Sequence, residues 1–331
     1  MLLEHGGNLR EAARIHGRPL DQWIDLSTGI NPHWYTAPAT TANAWHRLPE
    51  TDPALVAAAC AYYGAPAMLP VAGTQAAIQA LPRLRAPCRV VVAAPSYAEH
   101  AHHWGQHGHQ LRQVHYPELN DAVEDCEVLV VCNPNNPTGE RISPEKLLAW
   151  RARLAARGGW LVVDEAFGDT EDTASLGAHT DQAGLIVLRS VGKFFGLAGL
   201  RLGFVAAQPA LLRALAAMLG PWTVSGPAQQ VALAALCDTH WQQAMRARLK
   251  SEGERLRQLL ASHGMDSSGC ALFQWWPAAR AEDFHRHMAE RGIWVRLFSQ
   301  AARGIRLGLP PNEPAWRQLE QALIAWNKEN T

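Results

Sequence analysis

The sequence has no excess of charge of either sign. Lys plus Arg and Asp plus Glu both total 30 among 331 residues, so the formal net charge is zero. Proteins that bind nucleic acid or acidic membranes usually carry a basic excess. We therefore predict neither a nucleic-acid partner nor a membrane partner. Any anionic ligand must be bound by a local cluster of positive charge.

The sequence also has few cysteines, and none of the six stands in a CxxC pair. Scattered thiols without metal-type spacing indicate reduced, mostly buried cysteines, which suits the cytoplasm. No apolar run reaches the roughly 20 residues that a membrane-spanning helix needs. The N-terminal segment contains Glu4 and Glu11 but no apolar core, so we expect no signal peptide. These absences predict a cytoplasmic protein.

A histidine-rich segment, HAHHWGQHGH (100–109), has one feature of a metal site. His103 and His107 have the i, i+4 spacing of zinc ligands on a helix. No acidic HExxH pattern accompanies them. We predict a solvated helix and turn here, and no metal site.

Short, nearly continuous runs of Val, Leu and Ile alternate with amphipathic segments in the middle of the chain. The runs lie at residues 89–95, 127–134, 159–166, 184–190 and 202–207. Such runs are typical of strands that are covered on both faces. Residues 143–159 predict a helix that follows Ser143 and ends before Gly158. Repeated strand–helix–strand units predict an α/β fold, with a mostly parallel mixed sheet between helices.

The pattern changes beyond Gly226. A long helix-prone stretch, residues 227–264, precedes short strands that are mixed with helices. This pattern predicts a second, smaller α+β domain. We expect a large domain over residues 41–235, and a small domain that joins residues 1–40 to residues 236–331.

Polar residues at the ends of the predicted parallel strands would converge on one crevice, where ligands of such sheets bind. Lys193 stands there in an apolar stretch, SVGKFFGLAGLRLG (190–203). A buried ammonium is costly unless it is paired or deprotonated for chemistry. A lysine can bond an aldehyde, an aspartate can hold a pyridinium nitrogen, and a helix N-terminus can hold a phosphate. Pyridoxal 5′-phosphate (PLP) carries all of these groups.

Six motifs occur in order along the chain: AGTQAAI (72–78), PSYAEH (95–100), NPNNPTG (133–139), VDEAF (163–167), SVGKFFGLAGLRLG (190–203) and GIRLG (304–308). With these motifs the chain resembles the fold-type-I, class I/II aminotransferase-like family over nearly its full length. The resemblance implies the PLP-dependent transferase fold of type I, with PLP as the cofactor. It also implies a homodimer, since the sites of such enzymes lie at the subunit interface.

The resemblance assigns roles to individual residues. Lys193 and Asp164 are the implied catalytic residues: Lys193 bonds the cofactor's aldehyde, and Asp164 is the partner of its pyridine nitrogen. Asn136 matches the donor to the phenolate oxygen, and Tyr97 matches the aromatic that stacks on the ring. Arg306 falls where the family binds the substrate's α-carboxylate by a two-pronged contact. The implied phosphate cradle has five members: Gly73, Thr74, Gln75, Ser190 and Arg201.

Two positions depart from the family pattern. Phe167 stands where the family often has a tyrosine that donates to the phenolate oxygen, so Asn136 would make that contact largely alone. Leu48 stands in the slot of a tyrosine that reaches the cofactor phosphate of the partner subunit. The dimer is still expected, but without that cross-subunit contact.

The N-terminal motifs HGGN (5–8) and DLSTGINP (25–32) are similar to the start of threonine-phosphate decarboxylases of cobalamin biosynthesis. This similarity implies decarboxylation of L-threonine O-3-phosphate, a small phosphorylated amino acid, to (R)-1-amino-2-propanol O-2-phosphate and CO2. His5 and Asn8 around a flexible glycine pair could wrap the substrate phosphate. The expected substrate-binding residues are His5, Gly6, Gly7, Asn8, Asn31, Asn136 and Arg306.

Two other functions stay open at this point. The same cofactor serves transamination, because the reaction depends on which bond at Cα lies perpendicular to the conjugated plane, and sequence does not show that angle. A histidinol-phosphate-type aminotransferase is therefore the first alternative, although HGGN favours the decarboxylase. The second is a cofactor-binding protein without catalysis, such as a regulator. The lysine and aspartate argue against it.

Overall fold

The computed structural model describes residues 5–170, 175–299 and 302–329. The described chain forms two compact units. The small unit comprises the described parts of residues 1–33, 137–139 and 246–331. The large unit comprises those of residues 34–136 and 140–245.

The strands of the described chain are numbered in chain order. They are β1 Ile24–Asp25, β2 Met68–Val71, β3 Arg89–Ala94, β4 Gln110–His115, β5 Val128–Cys132, β6 Trp160–Asp164, β7 Leu185–Ser190, β8 Gly203–Ala206, β9 Ser268–Cys270, β10 Phe273–Pro277, β11 Ile293–Trp294, β12 Arg296–Phe298 and β13 Gly304–Gly308.

The helices are numbered in the same way, and short 3₁₀ turns occur between some of them. They are α1 Leu9–His16, α2 Ala42–His46, α3 Pro53–Tyr63, α4 Thr74–Ala80, α5 Ala98–Gln106, α6 Leu119–Ala122, α7 Pro144–Ala155, α8 Pro209–Leu219, α9 Gly226–Cys237, α10 Thr239–Ser262, α11 Ala281–Glu290 and α12 Glu313–Glu329. None of the helices in the described chain has the length and apolarity that crossing a bilayer requires.

The large unit is built on a seven-stranded sheet in the order β2-β8-β7-β6-β5-β3-β4. Strands β7, β6, β5, β3 and β4 are parallel, and β8 is antiparallel to both of its neighbours. Valines of β3, β5 and β6 are at most 2% exposed, as expected of strands that are covered on both faces. The predicted α/β class with a mostly parallel mixed sheet is confirmed.

The register of this sheet brings the ends of three neighbouring strands together. Cys132, at the end of β5, is the pairing partner of Asp164, at the end of β6, and Asp164 is in turn level with Leu188 of β7. Ser190 ends β7 two residues later. Because β5, β6 and β7 are parallel, their carboxyl ends form one edge, where ligands of α/β sheets bind.

The small unit contains an antiparallel sheet in the order β12-β13-β10-β9, and a parallel pair of β1 with β11. Residues alternate between the two faces of each strand. Ile305, Leu307 and Trp276 lie on the face of the four-stranded sheet opposite to Arg306. The ring of Trp276 packs edge-on against Phe284 of α11, with 5.3 Å between ring centroids. The face opposite to Arg306 therefore packs against α11 through Trp276.

Candidate active site

A cavity lies in the large unit where β5, β6 and β7 end. It is lined by all nine residues that the sequence predicts to bind the cofactor: Gly73, Thr74, Gln75, Tyr97, Asn136, Asp164, Ser190, Lys193 and Arg201. These residues come from separate elements across more than a hundred positions of sequence. The structure thus brings the whole predicted set together, while each residue's role toward the cofactor stays a prediction.

Lys193 differs from every other lysine in the chain. The other three, Lys146, Lys250 and Lys328, are exposed, whereas Lys193 is partly buried and lines the cavity. Its Nζ lies 5.4 Å from the ring centroid of Phe167. An amine held against an aromatic face is screened from bulk water, which suits bond formation to an aldehyde.

Asp164 is held by two hydrogen bonds and is 5% exposed. Its Oδ1 accepts from the backbone N–H of Ala166 at 3.0 Å, and its Oδ2 accepts from Nε2 of His100 at 2.9 Å. Burial alone would lower the pKa of His100, but hydrogen bonds to Asp164 and Cys132 outweigh it and raise the pKa to about 10. His100 is therefore cationic at neutral pH. A carboxylate that is held in place by such hydrogen bonds is suited to accept a hydrogen bond from a pyridinium N–H.

His100 corrects the sequence analysis, which expected residues 100–109 to be a solvated helix and turn. The helix forms as α5, but His100 is only 2% exposed and contacts a residue 64 positions away. One local signal was available, because His100 ends the PSYAEH motif that also contains Tyr97. The ligand atoms of His100, Cys132 and Asp164 also lie within 4.8 Å of one another. We interpret this group as an ion pair with a neighbouring thiol, because the imidazole nitrogen is already bonded to the carboxylate.

The predicted phosphate cradle contains a glycine whose backbone conformation is rare for residues with a side chain. Gly73 precedes α4 with a φ of 73°, and a Cβ placed there would lie 2.7 Å from Nη2 of Arg201. Arg201 itself has a left-handed backbone (φ 53°), which is uncommon for a residue with a side chain. Its guanidinium, the Ser190 side chain and the first N–H groups of α4 together form a donor set that fits a phosphate dianion. A side chain at position 73 would fill this cradle.

Phe167 lines the same cavity and is 6% exposed. We expect Phe167→Tyr to place a hydroxyl donor near the phenolate oxygen of bound PLP. The added hydrogen bond stabilises the more negative, deprotonated state, so the pH midpoint of the cofactor's visible absorbance change should fall by about one unit. A pH titration of that absorbance measures the shift. Phe298→Tyr, in the small unit, is the control, and an unchanged midpoint in Phe167→Tyr would contradict the assignment.

In the small unit, Arg306 lies on β13 and is 6% exposed. Its Nη2 donates to the backbone oxygen of Ser27 at 2.7 Å, and its guanidinium lies 5.2 Å from the ring centroid of Phe273. Arg296 of β12 is its direct cross-strand partner, so both arginines belong to the same face of the sheet. Arg296 was not among the residues predicted from the sequence. The pairing of β12 with β13 places Arg296 beside Arg306, whereas their ten-residue spacing in the sequence does not indicate that they are neighbours.

The predicted substrate residues near the N-terminus also lie in the small unit. A Cβ at Gly6 would lie 2.3 Å from the backbone oxygen of Ser27, and the N–H of Gly7 donates to Oγ of Ser27 at 2.8 Å. Ser27, which the sequence analysis did not select, therefore contacts both the glycine pair and Arg306. His5 is exposed. These contacts with Ser27 hold the backbone of the glycine pair in a defined conformation.

The two predicted asparagines of this unit make contacts within the protein. Oδ1 of Asn8 accepts from the indole N–H of Trp294 at 3.0 Å. Asn31 is 1% exposed, and its Oδ1 accepts from the backbone N–H of His33 at 2.8 Å. These bonds position the backbone of both segments. Direct contacts of Asn8 and Asn31 with substrate stay predictions.

Comparison with known proteins places this chain in a family. The family model described as aminotransferase class I and II matches residues 21–309. The chain belongs to this family. Class I and II aminotransferase-family proteins are PLP-dependent, which agrees with the predicted cofactor and with the donor set of the cavity. The predicted fold type is confirmed as well.

Two curated members of the class I and II family match over nearly their whole length. The chain is 53% identical over 328 residues to a threonine-phosphate decarboxylase of Pseudomonas aeruginosa, covering 99% of both chains. It is 43% identical to a threonine-phosphate decarboxylase of a Sinorhizobium species, covering 96% of this chain and 97% of the relative. Among solved structures, a histidinol-phosphate aminotransferase of Sinorhizobium meliloti in complex with pyridoxal-5′-phosphate has a TM-score of 0.83 at 22% identity. It covers 99% of this chain and 96% of that one, which shows the shared fold.

Proposed function

We propose that this protein is a PLP-dependent decarboxylase that converts L-threonine O-3-phosphate to (R)-1-amino-2-propanol O-2-phosphate and CO2 in cobalamin biosynthesis. The observation that carries the proposal is the 53% identity over 99% of the chain to a protein of that name. This is also the function that the sequence motifs predict. The similarity to a histidinol-phosphate aminotransferase at 22% identity supports the fold and does not favour that enzyme's reaction.

The residues of the large-unit cavity supply what this chemistry requires. When bound, PLP supplies an electron sink for the electron pair that remains at Cα after CO2 leaves. Asp164, held by His100, would accept a hydrogen bond from the ring N–H and so keep that proton in place. Nζ of Lys193 would bond the aldehyde carbon when the cofactor is held and, as an ammonium, would deliver the proton that Cα takes up. Gly73, Ser190 and Arg201 would anchor the phosphate and thereby limit movement of the ring.

The substrate carries two anionic groups, a carboxylate and a phosphate. The pair of arginines on one face of the small sheet, Arg306 and Arg296, supports recognition of such a doubly anionic molecule. A tight ion pair would stabilise the ground-state carboxylate and slow its loss. We therefore propose that Arg306 orients the carboxylate. Its bond to the backbone of Ser27 holds the guanidinium in one position without neutralising it.

Arg306→Lys should raise the KM for threonine phosphate by about 10- to 100-fold, because a point charge cannot replace a planar, two-pronged donor. Its effect on kcat should be smaller. Steady-state kinetics of CO2 release separate the two constants. Arg303→Lys is the matched control, since Arg303 is exposed and bonds only Glu282 among the contacts of the structure described here. A normal KM in Arg306→Lys would contradict the role.

The direct test of the proposed reaction uses purified protein loaded with PLP and L-threonine O-3-phosphate. We expect CO2 release together with an equal amount of the amino-propanol phosphate. The aminotransferase alternative predicts no CO2 and transfer of the amino group to 2-oxoglutarate. If the protein binds the cofactor without catalysis, threonine phosphate should leave the visible absorbance of the cofactor unchanged.

We also propose a homodimer in the cytoplasm. The large unit exposes apolar side chains that a monomer would bury: Trp34, Trp45, Leu48 and Trp222 are 56% to 74% exposed. All six cysteines are free, which supports a reducing compartment. Analytical ultracentrifugation tests the dimer, and a sedimentation mass of one chain at micromolar concentration would contradict it.

Within each protomer, we propose that residues 41–235 bind the cofactor, and that residues 1–40 with 236–331 bind substrate.

A further inference from the structure

Gln75 lines the cavity, and its carboxamide is held at both ends by other side chains. Its Oε1 accepts from the hydroxyl of Tyr97 at 3.3 Å, and its Nε2 donates to Oε2 of Glu99 at 2.6 Å. The two ends of a carboxamide are chemically different, because one only accepts and the other only donates. The orientation of this group therefore matters to both neighbours.

Glu99 determines that orientation. An ionised carboxylate only accepts hydrogen bonds, so the donor end of Gln75 must face it, and the acceptor end then faces Tyr97. Glu99 is 8% exposed, and a carboxylate this buried needs partners. His103, one helical turn later on α5, donates from Nε2 to the same Oε2 at 3.0 Å. Glu99 and His103 together thus hold the carboxamide of Gln75 in one of its two orientations.

The hydrogen bonds that run from Glu99 through Gln75 end at the hydroxyl of Tyr97. Its ring lines the cavity that also contains Lys193 and Asp164. It packs edge-on to His100, with 6.1 Å between ring centroids and 82° between the ring planes. The hydroxyl bond to Gln75 then restrains the far end of the ring. A flat ligand that stacks on Tyr97 needs this ring at one fixed angle.

We propose that Glu99 and His103 are positioning residues that orient Gln75 and, through it, the ring of Tyr97 on which the cofactor stacks. This gives the histidine-rich segment a second function in the site besides that of His100. The inference rests on the proposed PLP-dependent function, but it concerns how the ring is held and not which bond is broken. Its test therefore uses bound PLP without substrate.

The test compares Glu99→Gln with Glu118→Gln, a change at an exposed glutamate. In Glu99→Gln the new amide can present either end to Gln75, so the orientation is no longer enforced. We expect the visible circular dichroism band of bound PLP to lose at least about half of its amplitude. The PLP Kd, measured by equilibrium dialysis, should rise about 5- to 10-fold, the scale of one hydrogen bond. Glu118→Gln should match the wild type, and borohydride should still label Lys193 in both variants.

A double-mutant cycle separates positioning through Tyr97 from a general structural effect. Tyr97→Phe keeps the ring but removes the hydroxyl, so Glu99→Gln should have no further effect on the band in that background. His103→Gln should change the band in the same direction. If Glu99→Gln does not fold, His103→Gln takes its place in the cycle.

A wild-type band in these variants, or fully additive effects of Tyr97→Phe and Glu99→Gln, would overturn the inference. Absence of any visible band in the wild-type protein would overturn both this inference and the proposed function, whereas a normal band without CO2 release would overturn the proposed reaction alone.

Discussion

Lys193→Ala is expected to reduce CO2 release from threonine phosphate by at least about 1,000-fold, within the range that proton transfer by a positioned side chain contributes. In the proposed mechanism, the variant loses both the nitrogen that bonds the cofactor's aldehyde and the proton donor to Cα. PLP should still bind through the phosphate cradle, with a higher Kd. Borohydride treatment followed by peptide mapping should label position 193 in the wild type and no position in the variant.

The chain offers a clean control for this experiment. Lys146, Lys250 and Lys328 are all exposed, so Lys328→Ala should keep wild-type turnover and the label at position 193. Turnover in Lys193→Ala within tenfold of the wild type, or a label at another lysine, would remove the basis of the proposed function.

Asp164→Asn should reduce kcat by at least about 100-fold, the scale for removal of one preorganised electrostatic contact. The amide has nearly the same shape but no charge, so the ring nitrogen no longer keeps its proton. CO2 release at saturating substrate measures the effect. Asp121→Asn, at an exposed aspartate, is the control. A rate above a tenth of the wild type would contradict the role of Asp164.

The same variant should change how stability depends on pH. The pKa of His100 is raised from its ordinary 6.5 to about 10 in the folded protein. The pair therefore stabilises the fold fully below pH 6.5, and its contribution is lost as the pH rises through about 10. Wild type should exceed Asp164→Asn in unfolding temperature at pH 6, and the difference should narrow at pH 10. A pH-independent difference would show that the His100–Asp164 pair is not the cause.

The sequence predicts the central strands well, because the signal for a strand covered on both faces is local. The run at 184–190 becomes β7, Leu185–Ser190, and the run at 159–166 becomes β6, Trp160–Asp164. The helix after Ser143 begins at Pro144 as expected, and Oγ of Ser143 accepts from the N–H of Lys146 at 3.4 Å. Capping residues act within one turn of the chain, so reading them needs no tertiary information.

The long helix-prone stretch at 227–264 shows a limit of periodicity. The structure divides it into α9 and α10 at Asp238, whose Oδ1 accepts from the backbone N–H of Trp241 at 2.9 Å. Helix-forming residues on both sides hide this break, although an aspartate is a recognised N-cap.

Strand direction is a second feature that the sequence pattern does not predict. The run at 202–207 becomes β8, which is antiparallel to its neighbours, and composition does not encode that direction.

The sequence by itself predicted the fold class, and the resemblance of its motifs to the class I and II aminotransferase family indicated residues that line one cavity, Lys193 and Asp164 among them. Only the tertiary structure decided which side chains support that set. His100 reaches Asp164 across 64 positions, Arg296 meets Arg306 through strand pairing, and Glu99 orients Gln75 across 24 positions. The physical reason is that a buried polar group must find its partner in space. Several arrangements of the same chain satisfy the local pattern, and only packing selects the one in which these partners meet.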